Sequence, residues 1–253
     1  MILSIDIGIR NLSLCIMDCT DKTDLSTYKV HLWDVYNTLE DNYKCQSLQK
    51  SGKICNKKCG YKYNGIYSCK VHFPKNLLPI KKEHFFKPKL IKNYLLQDIA
   101  TIILNKLNEI YNQHIQLFNQ LTMVVIELQP SVNKSMIFVS HLIYGKFIDL
   151  QLNNYLSNNC TIKFVRASQK LKAYTGIEIV CPLKGKYAQR KWLSVRYTRW
   201  FLENKFSRVQ KDVWFENFLN CGKADDRSDT FLMAINCLHG IPKKQKMNFK
   251  KNN

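Results

Sequence analysis

Acid is what this sequence has too little of. Only 19 Asp and Glu stand against 39 Lys and Arg, a formal net charge of +20 over 253 residues. A surface so short of carboxylate excludes a basic partner and attracts polyanions, nucleic acid first among them. Missing too is any apolar run of the ~18 residues that a membrane span needs. The apolar start has no basic n-region and already contains Asp6, which argues against a secretory signal. An intracellular, reducing compartment follows, and in it the ten cysteines read as core or metal ligands rather than disulfides. No internal repeat and no long linker divides the chain. The 45% hydrophobic content suffices for one packed core, so one large domain, or one domain with an insertion, is expected.

Residues 2–7 form a short β-branched apolar run and read as a first strand. Gly8 to Asn11 is a tight connection, residues 12–17 a second strand, and 28–36 a third with better alternation. The stretch from Phe85 and Pro88 leads into a predicted helix whose apolar stripe is Ile91, Leu95, Ile99, Ile102, Ile103, Leu107 and Ile110. Residues 121–128 read as a buried strand, 133–152 as a long helix, and 161–165 as a short strand. Arg166 to Lys172 is a basic loop. Residues 187–204 form a basic helix and 223–238 the last one. Lys243 to Lys251 looks like a frayed basic end.

Acid is scarce, so its placement is informative. Asp6 sits in the first apolar strand, where a carboxylate is costly unless paired or bound to a cation. Glu127 sits near the end of another buried strand. The last helix opens with Asp225, Asp226 and Asp229 within five residues. Asp226 and Asp229 share a helix face, as Asp225 and Asp229 nearly do. N-capping accounts for one such Asp. Three of them ahead of an apolar face fit a cation near the helix start. About four carboxylates suffice for a pair of Mg²⁺ ions, the arrangement that phosphodiester hydrolysis uses.

Three motifs carry these acids: Ile-Asp6-Ile-Gly8-Ile-Arg10-Asn11, then Val-Val-Ile-Glu127-Leu-Gln-Pro, then Lys-Ala-Asp225-Asp226-Arg-Ser-Asp229-Thr. In this order the set resembles the RuvC-type Holliday junction resolvases of the ribonuclease H-like superfamily. It is most similar to their mitochondrial and large-DNA-virus branch. The resemblance covers the chain except 43–75. It implies an α/β fold, a mixed five-stranded sheet in order 3-2-1-4-5 flanked by helices, built from residues 1–42 and 76–242, with a basic tail at 243–253. It also implies a homodimeric endodeoxyribonuclease of DNA recombination and repair that nicks four-way junctions symmetrically. Carried over by motif, Asp6, Glu127, Asp226 and Asp229 are the catalytic acids and hold two Mg²⁺, with Mn²⁺ as substitute. The doubled Asp leaves room for Asp225. If the source is viral, the location is the host cytoplasm or nucleus.

Residues 43–75 change character. They are rich in Lys, Gly, Tyr and Cys and lack a helical period. Cys69-x-x-His72 is a half-site for tetrahedral zinc, and Cys45, Cys55 and Cys59 offer three thiols for the other two places. So short and polar a stretch cannot bury a core, and a structural Zn²⁺ would substitute for one. The stretch looks like small Cys-Cys-Cys-His modules inserted in viral resolvase-like proteins. That likeness implies Cys45, Cys55, Cys69 and His72 as ligands, with Cys59 spare. Lys44, Lys50, Lys53, Lys57, Lys58, Lys62 and Lys70 could lie along phosphates or serve a protein contact.

Residues 184–211 carry nine cations and one acid, Glu203. Lys186, Arg190, Lys191, Arg196 and Arg199 on the basic helix, with Arg10, Lys170 and Lys172, form the expected DNA-binding set, reading shape through phosphates. Two rival readings remain: a related nuclease acting on RNA–DNA hybrids or transposon ends, and a non-catalytic zinc-containing DNA-binding protein. Either long helix, 88–113 or 133–152, could form a dimer face.

Overall fold

The computed structural model describes residues 1–39, 43–87 and 89–239; the 243–253 tail lies outside them. In chain order the strands are β1 (Ile2–Asp6), β2 (Asn11–Cys19), β3 (Tyr28–Asn37), β4 (Tyr61–Tyr63), β5 (Ile66–Ser68), β6 (Met123–Leu128) and β7 (Thr161–Arg166). The α-helices are α1 (Leu96–Gln113), α2 (Ile115–Phe118), α3 (Lys134–Leu152), α4 (Lys186–Asn204), α5 (Arg208–Leu219) and α6 (Ala224–His239). The chain forms two compact units: Met1–Thr38 joined with the chain from Leu96 onward, and Leu39–Leu95.

In the first unit β1, β2, β3, β6 and β7 form one sheet in the order β3-β2-β1-β6-β7. The three opening strands are antiparallel, and β6 and β7 are parallel to β1 and to each other. With the short β4 and β5 set aside, this is the mixed 3-2-1-4-5 sheet that the motif resemblance implies. No helix among the described residues is long and apolar enough to cross a membrane.

Side chains alternate across a strand, so Ile2, Ser4 and Asp6 share one face of β1. That face belongs to α6. The Ser4 hydroxyl donates to the Thr230 carbonyl at 2.7 Å, Ser13 and Thr230 hydroxyls meet at 3.3 Å, and Trp33 Nε1 donates to the Arg227 carbonyl at 2.9 Å. Three strands thus fix both the rotation and the axial position of one helix. Residues Arg227 to Asn236 of α6 are all buried, because α4 covers its outer side. Trp33 anchors the core here, stacked on Phe218 at 5.3 Å and packed on Phe231 at 5.0 Å. Beyond β6 and β7, α3 packs on the sheet and α1 packs on α3.

Arg227 is a buried cation in this layer. It pairs with Asp34 at 2.6 Å, donates to the Asn217 side chain and lies over the Trp33 ring. Arg227→Met should lower stability by about 2 kcal/mol, since the buried hydrogen bonds go but Asp34 stays half exposed and can rehydrate. Urea unfolding measures this, and an unchanged midpoint would show that the pair contributes nothing.

Two sequence expectations need correction. The helix expected from residue 88 begins at Leu96. Ile91–Asn93 makes a single 3₁₀ turn, Tyr94 is extended, and Leu95 is 69% exposed. The buried stripe starts at Ile99 and runs through Ile103, Leu107 and Ile110, so packing supports the helix only from there on. Between 205 and 222, where no element was expected, α5 forms with Ser207 as N-cap accepting from Gln210 N.

The second unit is a small metal-type knuckle with an aromatic packing. A two-residue hairpin joins β4 to β5 through Asn64 and Gly65, both at positive φ (45° and 80°). Asn-Gly is the sequence signature of such a turn. Tyr43, Tyr67 and Phe86 pack on one another with centroids 4.6–4.8 Å apart. The Phe86 amide donates to the Gly60 carbonyl, tying residues beyond 75 into the unit.

Candidate active site

β1 and β6 run parallel with Ile5 paired to Ile126, so Asp6 and Glu127 end side by side at the carboxyl ends of adjacent strands. Crevices outside those ends are where open α/β sheets bind ligands. Val125 packs into the core under α6, and two residues on Glu127 faces the same way. The seryl and threonyl bonds that lock α6 to the sheet place Asp229, next to Thr230, over this pair. Asp6, Glu127, Asp226 and Asp229 all line one open cavity of about 490 Å³. Asp225 lines it as well, beside Asp226 on the first turn of α6. Residues 6, 127 and 225–229 are far apart in the chain and meet at one place.

Gly8 shapes the edge of this cavity. A Cβ there would run into the Asn11 carbonyl oxygen. Gly8→Ala should therefore distort the β1–β2 turn and cost about 1–3 kcal/mol, with loss of activity in step. Thermal melting tests it, and a wild-type midpoint would show that the turn yields cheaply.

Two lysines stand among the acids. Lys170, on the 3₁₀ helix Ala167–Ala173, is 8% exposed. Its ammonium donates to Glu127 at 3.1 Å and pairs with Asp229 at 2.6 Å. Lys191 of α4 pairs with Asp225, and with Asp226 at 3.3 Å. Lys191 was expected to meet phosphate, and Lys170 either to position the scissile phosphate or to support the site electrostatically; Lys170 turns inward to bridge carboxylates and Lys191 stands on the cavity wall. Arg10 and Arg190 line the cavity too. Lys172, Lys186, Arg196 and Arg199 are exposed. Arg196 lies over Trp192, and Arg199 pairs with Glu203. Tyr187, Lys223 and Gln129 also reach the cavity. Sequence reasoning missed them, and an aromatic opening a basic helix was the only signal for Tyr187.

Burial dominates the electrostatics of the inner carboxylates. Burial drives the Asp6 carboxyl well above its usual range, helped by its hydrogen bond to Glu127 and the charges of Glu127 and Asp229. Burial also raises Asp229, only partly opposed by Lys170. Burial pushes Glu127 the same way, but the hydrogen bond from Asp6 and the Lys170 charge outweigh it, and its carboxyl ends up lowered. The hydrogen bond between them thus splits the pair, with Asp6 raised and Glu127 lowered. Asp229 Oδ1 is buried without a hydrogen-bond partner among the described residues. A buried carboxylate oxygen left unpartnered beside two hydrogen-bonded carboxylates is what a divalent cation would satisfy. The donor set, all oxygen, suits Mg²⁺ or Mn²⁺.

The second unit holds a different donor set. Sγ of Cys45, Cys55 and Cys69 and a ring nitrogen of His72 all lie within 4.8 Å of one another. Cys45 and Cys69 are 3.4 and 3.6 Å from His72 Nδ1, and Cys55 is 3.9 Å from Cys69. A tetrahedron with zinc–sulfur bonds of ~2.3 Å has edges of about 3.8 Å, so the donors fit that metal. Although burial opposes it, hydrogen bonds from Ser47, the Cys69 backbone and His72 lower the Cys45 thiol to about 6. Cys59 is buried beside them, its thiol raised by burial and by Cys45, Cys69 and Cys55, and it stands outside the four.

No protein-family model matches the chain. Among curated proteins it is 28% identical, over 257 residues, to the uncharacterized protein L451 of Acanthamoeba polyphaga mimivirus. That match covers 90% of this chain and 58% of the relative, so the chain spans little more than half of that protein's length. Among solved structures it is similar to the yeast mitochondrial Holliday junction resolvase Ydc2, with TM-score 0.45 and 12% identity, covering 94% of this chain and 77% of that one. It is also similar to T. thermophilus RuvC, solved with a Holliday junction substrate, with TM-score 0.41 and 8% identity over 95% and 96% of the two chains.

Proposed function

We propose that the chain is a divalent-metal-dependent, structure-selective endonuclease that cuts four-way DNA junctions as a homodimer. One observation carries the nuclease reading: three distant segments deliver Asp6, Glu127 and Asp229 to one cavity, where Asp229 Oδ1 has no partner among the described residues. The junction as substrate rests on the three-motif resemblance.

Asp6, Glu127 and Asp229 would hold the cations, with Asp226 and Asp225 closing the site. Bound there, paired Mg²⁺ ions would supply a water of lowered pKa and stabilisation for the departing 3′ oxygen. The chain does the rest. Lys170 holds Glu127 and Asp229 in place, and its own pKa is raised because their charges outweigh its burial, so it stays an ammonium. Lys191 does the same for Asp225 and Asp226. Arg190 on the cavity wall, and exposed Lys186, Arg196 and Arg199 on α4, present cations to phosphates of the arms. The Cys45/Cys55/Cys69/His72 set would bind one structural Zn²⁺.

The test compares a mobile four-way junction, an RNA–DNA hybrid and a plain duplex of equal length in Mg²⁺. Paired nicks at symmetric positions of the junction, with little cutting of the others, are expected. Preferential cutting of the hybrid would move the substrate assignment, and absence of metal-dependent cutting on all three would end the nuclease reading.

A further inference from the structure

We infer that the Leu39–Leu95 unit is itself a binding surface for the phosphate backbone of duplex DNA, additional to the carboxylates and cations of the first unit. From residue 39 to 95 the sequence has thirteen lysines, no arginine and three acids, Glu40, Asp41 and Glu83. Every one of those lysines is exposed. Glu83 lies 3.9 Å from the His84 ring rather than inside the knuckle.

Geometry makes this more than a solvated charge run. Lys44 and Lys58 pair across an antiparallel bridge, so their side chains leave the same face as direct neighbours. Like charges placed opposite one another destabilise such a pair. No acid between 43 and 82 offsets them. The repulsion is also built in rigidly. The Cys45 amide donates to the Lys57 carbonyl and the Cys59 amide to the Tyr43 carbonyl, which locks the 43–45 and 57–59 segments together. Lys57 and Lys58 sit between Cys55 and Cys59, and Lys70 lies inside Cys69-x-x-His72. The backbone that carries these cations is therefore the backbone that carries the donor set.

The residue type narrows the ligand. Arginine reads guanine edges with a two-pronged fork, whereas lysine meets phosphate as a point charge. An all-lysine surface binds without sequence preference. Single-strand binders add exposed aromatic platforms for bases. Here Tyr43, Tyr67 and Phe86 pack against one another, and Phe85, although 56% exposed, packs on Tyr61 at 5.3 Å. Backbone contact with a duplex is what remains.

The test uses the full chain with K44Q, K57Q, K58Q and K70Q together, binding a labelled plain duplex across a salt series in calcium without magnesium. Each phosphate contact adds about 0.9 to the slope of log affinity against log salt. The quadruple variant should flatten that slope by at least about 2 and weaken low-salt binding at least tenfold. A control carrying K22Q, K29Q and K163Q, exposed lysines of the other unit, should change it little. An unchanged slope, or an equal drop in the control, overturns the inference. Because no cleavage is read, failure here leaves the endonuclease proposal standing, and failure of that proposal leaves this one measurable.

Discussion

Asp6→Asn should abolish Mg²⁺-dependent junction cleavage, lowering the rate by at least about 10³-fold, the upper range for loss of one electrostatic stabiliser. Junction affinity in calcium should persist, because the exposed cations that meet phosphate are untouched. The sign of the stability change is also fixed. The folded pKa of Asp6 lies above its unfolded value, since burial and Glu127 disfavour the anion. At neutral pH an ionised Asp6 therefore opposes folding, and that penalty vanishes only as pH falls through the raised folded value. Asn carries no charge at any pH. The variant should melt at or above the wild-type temperature at pH 7 while being inactive. Retained cleavage would remove Asp6 from the site, and a much lower melting point would mark it as a structural residue.

The second large effect concerns the knuckle. Cys69→Ser should cost the Leu39–Leu95 unit its order, because metal binding in so small a unit supplies most of its folding free energy, on the order of 10 kcal/mol. Limited proteolysis should cut within 43–95 in that variant and in chelator-treated protein, and spare the rest of the chain. Cys59→Ser should resist like wild type and retain one bound zinc. A Cys59 variant that loses zinc would exchange its role with Cys45 or Cys55. A Cys69 variant that stays protected would show that aromatic packing alone holds the unit.

What the sequence made legible follows period and chemistry. The five strands of the main sheet stood out because their alternating or continuous apolar runs are short and bounded. Their order did not come from any run; it came from the motif set, since pairing is a tertiary property. The carboxylates were legible because a buried Asp or Glu demands an explanation. Lys170 was legible as a cation near the site, but not its bridge between Glu127 and Asp229: a lysine after a strand is solvated by default, and the packing of its 3₁₀ turn against α6 turns it inward. The turns expected ahead of α1 failed for the same reason in reverse: Ile91 and Leu95 continued the stripe, but Leu95 is 69% exposed and the buried face starts only at Ile99. Helix α5 hid inside a run of charge, with Phe218 its one fully buried side chain. The β4–β5 hairpin was readable from Asn64-Gly65 and was overlooked among the cysteines. Asp225 and Asp226 both reach the cavity, and Lys191 pairs with both.

The most direct measurement is anomalous diffraction from crystals soaked in Mn²⁺. The expected result is manganese bound by Asp6 together with Glu127 or Asp229, and no such peak in crystals of the Asp6→Asn variant. A cavity without manganese, or ions bound only at exposed carboxylates elsewhere, would contradict the claim that these acids converge to hold the catalytic cations.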